Sequence, residues 1–169
     1  MNIDVSELKG KKYSKKDLDI VIEKENFFDG TETVDFLENI KFDGSIRLNN
    51  EVFNLSGIVT TKLLLTCSRC LNKFPFDIKM DINEELSTNA INEDSEIISI
   101  KNDNIDIYEI IENNLVIHMP VKRLCNEECK GLCQQCGTNL NCGECSCDSI
   151  NVDPRLAKLK DLFSKHKEV

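Results

Sequence analysis

Nine cysteines are the residues of this 169-residue chain whose type and spacing point to chemistry. Cys67-Ser68-Arg69-Cys70 is a C-x2-C pair standing alone, while Cys125, Cys129, Cys133, Cys136, Cys142, Cys145 and Cys147 crowd into 23 residues. The crowded run contains the x3 and x2 separations that let two sulfurs chelate one ion. Gly137 follows Cys136 and Gly143 follows Cys142, and glycine relieves strain where backbone amides turn toward a thiolate. A structural zinc takes four ligands, so two sites use eight cysteines and leave one over. The lone pair Cys67/Cys70 needs partners from elsewhere, and the nearest unclaimed pair is Cys125/Cys129. The second site then draws on Cys133, Cys136 and two of Cys142, Cys145 and Cys147, with spacing favouring Cys142/Cys145.

Other thiol chemistries fit less well. A redox C-x2-C sits ahead of a helix N-terminus in a βαβ context, whereas Cys67/Cys70 falls between two strand-like segments. Four thiolates also suit an iron–sulfur cluster, but no cysteine run here ends in Cys-Pro. Catalytic zinc keeps an open position and usually His or carboxylate ligands, and neither His118 nor His166 has ligand spacing. The expectation is structural zinc, one or two ions, contributing folding energy and no chemistry. The chain holds no G-x-G-x-x-G, no phosphate-binding loop and no Cys/His nucleophile arrangement, so it reads as a non-enzyme with no small-molecule substrate.

The opening residues Met1 to Leu8 are polar and carry two acids, unlike a signal peptide. No apolar run approaches the roughly 18 residues of a membrane span. The expected location is the cytoplasm, where thiols stay reduced and a cysteine cluster means metal rather than disulfides. The formal net charge of -9 opposes a general nucleic-acid coat. It is uneven, at -10 over residues 1–120 and +1 over 121–169.

The elements that must position the cysteines follow from periodicity. Phe53, Leu55, Val59, Leu63 and Leu65 sit at even spacing, with Gly57 and Thr61 in the gaps. Phe74, Phe76, Ile78, Met80, Ile82 and Leu86 repeat the pattern with Glu84 as the exception. Period 2 with one apolar and one polar face predicts an antiparallel meander from about Ser45 to Leu86, its turn holding Cys67 and Cys70. Leu18, Ile20 and Ile22 predict an earlier strand. Phe27-Phe28 and Val34 to Leu37 flank a turn at Asp29-Gly30. Residues 87–96 predict an exposed loop, and Ile97 to Ile100 a short strand. Ile107, Ile110, Ile111 and Leu115 predict a helix, N-capped by Asp106 or Asn104 and ended by Pro120. Leu156, Leu159, Leu162 and Phe163 after Pro154 predict a short amphipathic C-terminal helix. The fold class is α+β: an antiparallel β-meander sheet or partial barrel with a packed helix, a Cys-rich metal-binding segment and that final helix. The expected divisions are 1–120, 121–153 and 154–169.

The hairpin turn Leu65-Thr66-Cys67-Ser68-Arg69-Cys70-Leu71, the stretch Leu124 to Asn141 with its four cysteines, Cys145-Ser146-Cys147 and Asp153-Pro154-Arg155-Leu156-Ala157-Lys158-Leu159 together resemble the YceD family. The resemblance covers nearly the whole chain, the first 40 residues only in general pattern. It implies a role in accumulation of large-subunit ribosomal RNA, hence ribosome biogenesis. Family genes often lie beside one for a small basic large-subunit ribosomal protein. Members lacking the second cysteine cluster keep the C-x2-C, which implies two separable sites. The family's closing pair corresponds to Cys145 and Cys147, which leaves Cys142 as the spare thiol. The resulting expectation is a non-catalytic factor that binds a ribosomal protein or an rRNA precursor. The acidic body favours the protein, and any RNA or partner contact falls to Arg155, Lys158, Lys160 and Lys165. The rival is a thiol-based redox or metal-handling protein, marked by an exposed, low-pKa thiol.

Overall fold

A computed structural model describes residues 2–9, 13–49, 52–88, 97–100 and 103–147. The helix expected over 154–169, with Arg155, Lys158, Lys160 and Lys165, lies outside them, as does most of the 87–96 loop. The described chain begins with strand β1 (Asn2–Asp4), a single 3-10 turn (Ser6–Leu8) and β2 (Tyr13–Ile22). A small hairpin follows, β3 (Asn26–Phe28) and β4 (Thr33–Phe36), and then β5 (Ile40–Asn49), β6 (Val52–Thr66) and β7 (Lys73–Ser87). Two short strands, β8 (Ile98–Ser99) and β9 (Asn104–Asp106), lead into helix α1 (Ile107–His118).

The alternating residues form the predicted meander. β6 pairs with β7 from Val52↔Ser87 to Thr66↔Lys73 and with β5 from Asn49↔Val52 to Lys41↔Thr60, all antiparallel. β5 starts five residues earlier than the pattern around Ser45 suggested, because β2 covers its other edge as far as Ile22↔Ile40. Where β5 leaves β6, the β3–β4 hairpin takes its place through Asp35↔Leu64 and Phe36↔Leu63. The meander is not purely antiparallel, since β8 adds to β7 in parallel at Leu86↔Ile98. A two-residue strand carries no alternation from which its direction could be read.

One face of the sheet is the core. Phe53, Leu55, Val59, Leu63 and Leu65 of β6 and Ile78, Met80, Ile82 and Leu86 of β7 are buried in one cluster with Ile107, Ile110, Ile111 and Leu115 of α1. The two polar residues in the apolar series are satisfied. Thr61 Oγ1 donates to the Glu38 carbonyl at 2.8 Å, and Glu84 Oε1 accepts from Asn114 Nδ2 of the helix at 2.7 Å. The helix is capped by Asp106, whose carboxylate accepts from the Tyr108 amide at 3.0 Å. β1 pairs with β9 up to the cap residue itself, Asn2↔Asp106, so the N-terminal strand fixes where the helix starts.

Gly44 and Gly57 face each other across β5 and β6, under the Phe42 ring. A Cβ on Gly44 would lie 2.4 Å from the Ser56 carbonyl oxygen and 2.7 Å from the Gly57 Cα. Backbone on the far side cannot swing away as a flexible side chain would. Gly44→Ala is therefore expected to cost about 1–3 kcal/mol, the usual penalty of overpacking. An unchanged urea midpoint would show that the strands separate freely at this crossing.

Candidate metal centre

Cys67 continues the inward series of β6 by one more step of two, so its sulfur enters the molecule where the strand ends. The chain then turns back within six residues. The Leu71 amide donates to the Cys67 carbonyl at 3.0 Å, and the Cys67 amide to the Asn72 carbonyl at 2.9 Å. Leu71 adopts φ +60 to allow it. This tight loop turns Cys70 toward the same point as Cys67.

The second pair arrives from beyond the helix. Pro120 follows the capped end of α1, and the segment after it bends back against the turn. The Ser68 amide donates to the Arg123 carbonyl at 2.8 Å, and the Leu132 amide to the Arg69 carbonyl at 3.1 Å. Arg69 Nη1 binds the Cys129 carbonyl at 2.8 Å. Arg123 is anchored in turn: its guanidinium donates to Asp29 and Glu32 in the β3–β4 turn. Asp29 has only 1% of its side chain exposed and also accepts from the Thr31 and Glu32 amides at 2.7 and 2.8 Å. Burial works against its charge, but the Glu32 amide, Arg123 and Thr31 outweigh it and hold the carboxyl well below the usual range.

The sulfurs of Cys67, Cys70, Cys125 and Cys129 consequently all lie within 4.8 Å of one another. Cys67 and Cys129 are 3.8 Å apart and Cys70 and Cys125 are 3.6 Å apart. A disulfide needs about 2.05 Å, and all nine cysteines are free. Tetrahedral thiolates at about 2.3 Å from a zinc ion stand about 3.8 Å from each other, so the donor set fits such an ion. Phe74, Leu124 and Leu132 pack around the three buried sulfurs.

A second group is local. Cys133, Cys136, Cys145 and Cys147 also have all four sulfurs within 4.8 Å of one another. The Gly137 amide donates to the Cys133 carbonyl at 3.0 Å, with Gly137 at φ +73. The Cys133 amide donates to the Thr138 carbonyl at 2.8 Å, and the Gln135 amide points at Cys133 Sγ at 3.5 Å. Cys142 is exposed and belongs to neither group. His118 is exposed on the helix and belongs to neither group.

Each group holds more thiols than it can ionise alone. Burial opposes a charge on Cys67, yet the amides of Cys125, Cys70 and Arg69 bring its pKa down to about 6. Cys125 is pushed up to about 12, first by its contact with Cys70 and then by burial. In the second group the Thr138 hydroxyl and amide lower Cys136 to about 6, while contact with Cys136 pushes Cys147 up to about 12. Negative charges this close repel unless a cation sits between them.

The region that holds both groups also carries the family signature. A family model described as "Large ribosomal RNA subunit accumulation protein YceD" matches residues 55–163. The chain belongs to the YceD family. The matched part of this YceD-family chain starts in β6 and includes all nine cysteines. An uncharacterized protein of Mycobacterium leprae is 26% identical over 130 residues, 74% of this chain and 59% of that protein. The uncharacterized protein YlbN of Bacillus subtilis is 26% identical over 157 residues, 83% of this chain and 91% of that protein. A Zea mays protein named "Large ribosomal RNA subunit accumulation protein YCED homolog 1, chloroplastic" is 27% identical, over 64% of this chain and 48% of that protein. The chain thus spans less than two thirds of the mycobacterial and maize relatives it matches. No solved structure matches.

Sequence reasoning brought the cysteines forward but missed the groups that hold them. Arg123 and Asp29 are 94 residues apart with no local signal, and Asn141, whose Nδ2 donates to Cys129 Sγ at 3.4 Å, reads as one more loop asparagine. Arg123→Met would leave Asp29 buried without its guanidinium and is expected to lower stability by about 3 kcal/mol. Urea denaturation checks this. A loss below about 1 kcal/mol would mean that the Thr31 and Glu32 amides satisfy Asp29 by themselves.

Proposed function

We propose that this YceD-family chain is a non-catalytic, zinc-holding factor that supports large-subunit rRNA accumulation and ribosome biogenesis by binding a ribosomal protein or an rRNA precursor. The observation that carries the metal half is the convergence of four sulfurs from two chain segments within 4.8 Å of one another, two pairs of them at 3.6 and 3.8 Å, against about 3.8 Å in a tetrahedral tetrathiolate. Cys67, Cys70, Cys125 and Cys129 would hold one zinc, and Cys133, Cys136, Cys145 and Cys147 a second, with Cys142 spare. Zinc in such a closed site neutralises the thiolates and contributes folding energy. In this reading residues 1–120 form the body, 121–153 the metal-binding segment and 154–169 a basic tail. Nine free cysteines fit the reducing cytoplasm. Among the described residues no helix is long and apolar enough to cross a membrane.

The thiol-redox alternative has less support at Cys67 and Cys70, because an attacking thiolate must be reached and both are buried. Cys136 is exposed and low in pKa, but it stands within 4.8 Å of three further thiols, the donor set a metal takes. The biogenesis half rests on the family and on the name of the maize relative. A protein partner suits the charge of the body. On the outer sheet face Asp19 stands opposite Asp43, and Ile58 separates Asp43 from Asp81 in the next strands. Such a row repels phosphate and attracts lysine and arginine.

Native mass spectrometry of the purified protein is expected to give two zinc ions per chain. Iodoacetamide should then label one thiol quickly, Cys142, and all nine only after a chelator is added. Folded protein with no bound metal would sink the proposal. Deleting the gene is expected to lower large-subunit rRNA and large-subunit particles relative to small-subunit rRNA, measured on gradients, and unchanged levels would contradict the biogenesis role.

A further inference from the structure

Beside the first cysteine group lies a groove of about 600 Å³ between the end of α1, the Cys67–Cys70 turn and the β3–β4 turn. Nine large hydrophobic side chains are exposed among the described residues, and Leu71, Val116, Ile117 and Val121 all line this one groove. Ile117 is 82% exposed and Val121 fully so. Apolar side chains scattered singly need no explanation, but four around one concavity mark a surface that something covers. The walls are also fixed. Leu71 belongs to the turn that presents Cys67 and Cys70, and Val121 stands two residues before Arg123, which is tied to Asp29 and Glu32 on the groove floor. A metal ion joining Cys67 and Cys70 to Cys125 and Cys129 therefore clamps two rims of the groove together.

We propose that this groove docks a short lysine- and arginine-rich protein segment that inserts apolar anchors between Leu71, Ile117 and Val121. Three observations select that occupant. The one cation lining the groove, Arg123, already binds Asp29 and Glu32, so no free positive charge is left for phosphate. With both acids of the lining paired to Arg123 the groove still keeps one negative charge in excess, and residues 1–120 carry a net -10, so an approaching basic segment is steered inward. Finally, the cavity has room for a few side chains of a segment rather than the face of a domain. The proposal rests on the biogenesis reading and names the surface through which it operates.

The test uses the full-length, metal-loaded protein and two probes: proteins salt-extracted from large ribosomal subunits, and the protein-free large-subunit rRNA. Wild type is expected to retain a basic extracted protein, and a photocrosslinking residue at position 117 is expected to attach to it. Ile117→Asp with Val121→Asp should weaken that binding at least tenfold. Both sites are exposed, so zinc content and circular dichroism should not change, and Val121→Asp alone serves if the pair does not fold. Equal binding by the variant overturns the groove while leaving the biogenesis reading intact. Crosslinks to residues 154–167 of the same chain, to a second copy or to rRNA, or no extracted protein retained by wild type, also overturn it. Gene deletion with unchanged large-subunit rRNA removes the underlying reading instead, so the two failures are told apart.

Discussion

The close approach of four ionisable sulfurs is the constraint on which this structure turns. The sulfurs of Cys67, Cys70, Cys125 and Cys129 come within 4.8 Å of one another from segments more than 50 residues apart. Hydrogen-bond donors around Cys67 favour its anion, while contact with Cys70 and burial push the Cys125 thiol up. Only a multivalent cation lets all four ionise together. The sheet, the helix end and the segment after it thus meet at one cluster of ionisable sulfurs. Were all four to ionise with no cation between them, the close approach that Arg69 and Arg123 enforce would be a cost.

The supporting contacts divide that work. Arg69 closes the turn onto the cysteine arm through the Cys129 carbonyl, and Arg123 ties the same arm to the β3–β4 turn. A buried carboxylate such as Asp29 is costly unless it is paired and hydrogen-bonded, and here it has a guanidinium, two amides and the Thr31 hydroxyl. Such a fully satisfied pair fixes one arrangement among several that apolar packing alone would permit. The groove beside it therefore has rims set by specific bonds.

What could be read in advance follows from the range of each interaction. Period-2 alternation in β6 and β7 is local, so the hairpin, its inward face and the position of Cys67 and Cys70 at its turn were legible from residues within a few positions of each other. The helix was legible for the same reason, with its cap narrowed to Asp106 or Asn104, of which the structure uses Asp106. The bonding of β4 to the far end of β6, the parallel β8 and the Asp29–Arg123 pair were not. Each depends on residues that meet only after the sheet has formed, and a single arginine carries no sign of a carboxylate 94 residues away. Thiols are the exception among long-range features. Nine cysteines in a chain of this composition demand partners, so counting alone narrows which pairs can meet.

The two cysteine groups differ in how they are held, and that difference limits their independence. The first needs the finished sheet, since its halves come from the β6–β7 turn and the segment beyond α1. The second is closed by turns within 15 residues, through bonds such as Gly137 to Cys133 and Cys133 to Thr138. Short loops cost little entropy to close, so the second can assemble without the sheet. Yet its loop also reaches back. Asn141 donates to Cys129 Sγ, its side-chain oxygen accepts from the Lys130 amide at 2.8 Å, and the Leu140 amide donates to the Gly131 carbonyl at 2.9 Å. Ordering that loop at one group therefore places a donor on a sulfur of the other, and by linkage whatever one group gains from the contact the other gains too. The groups are separable in sequence but share one stretch of backbone, from Cys129 to Cys133, through which each holds the other in place.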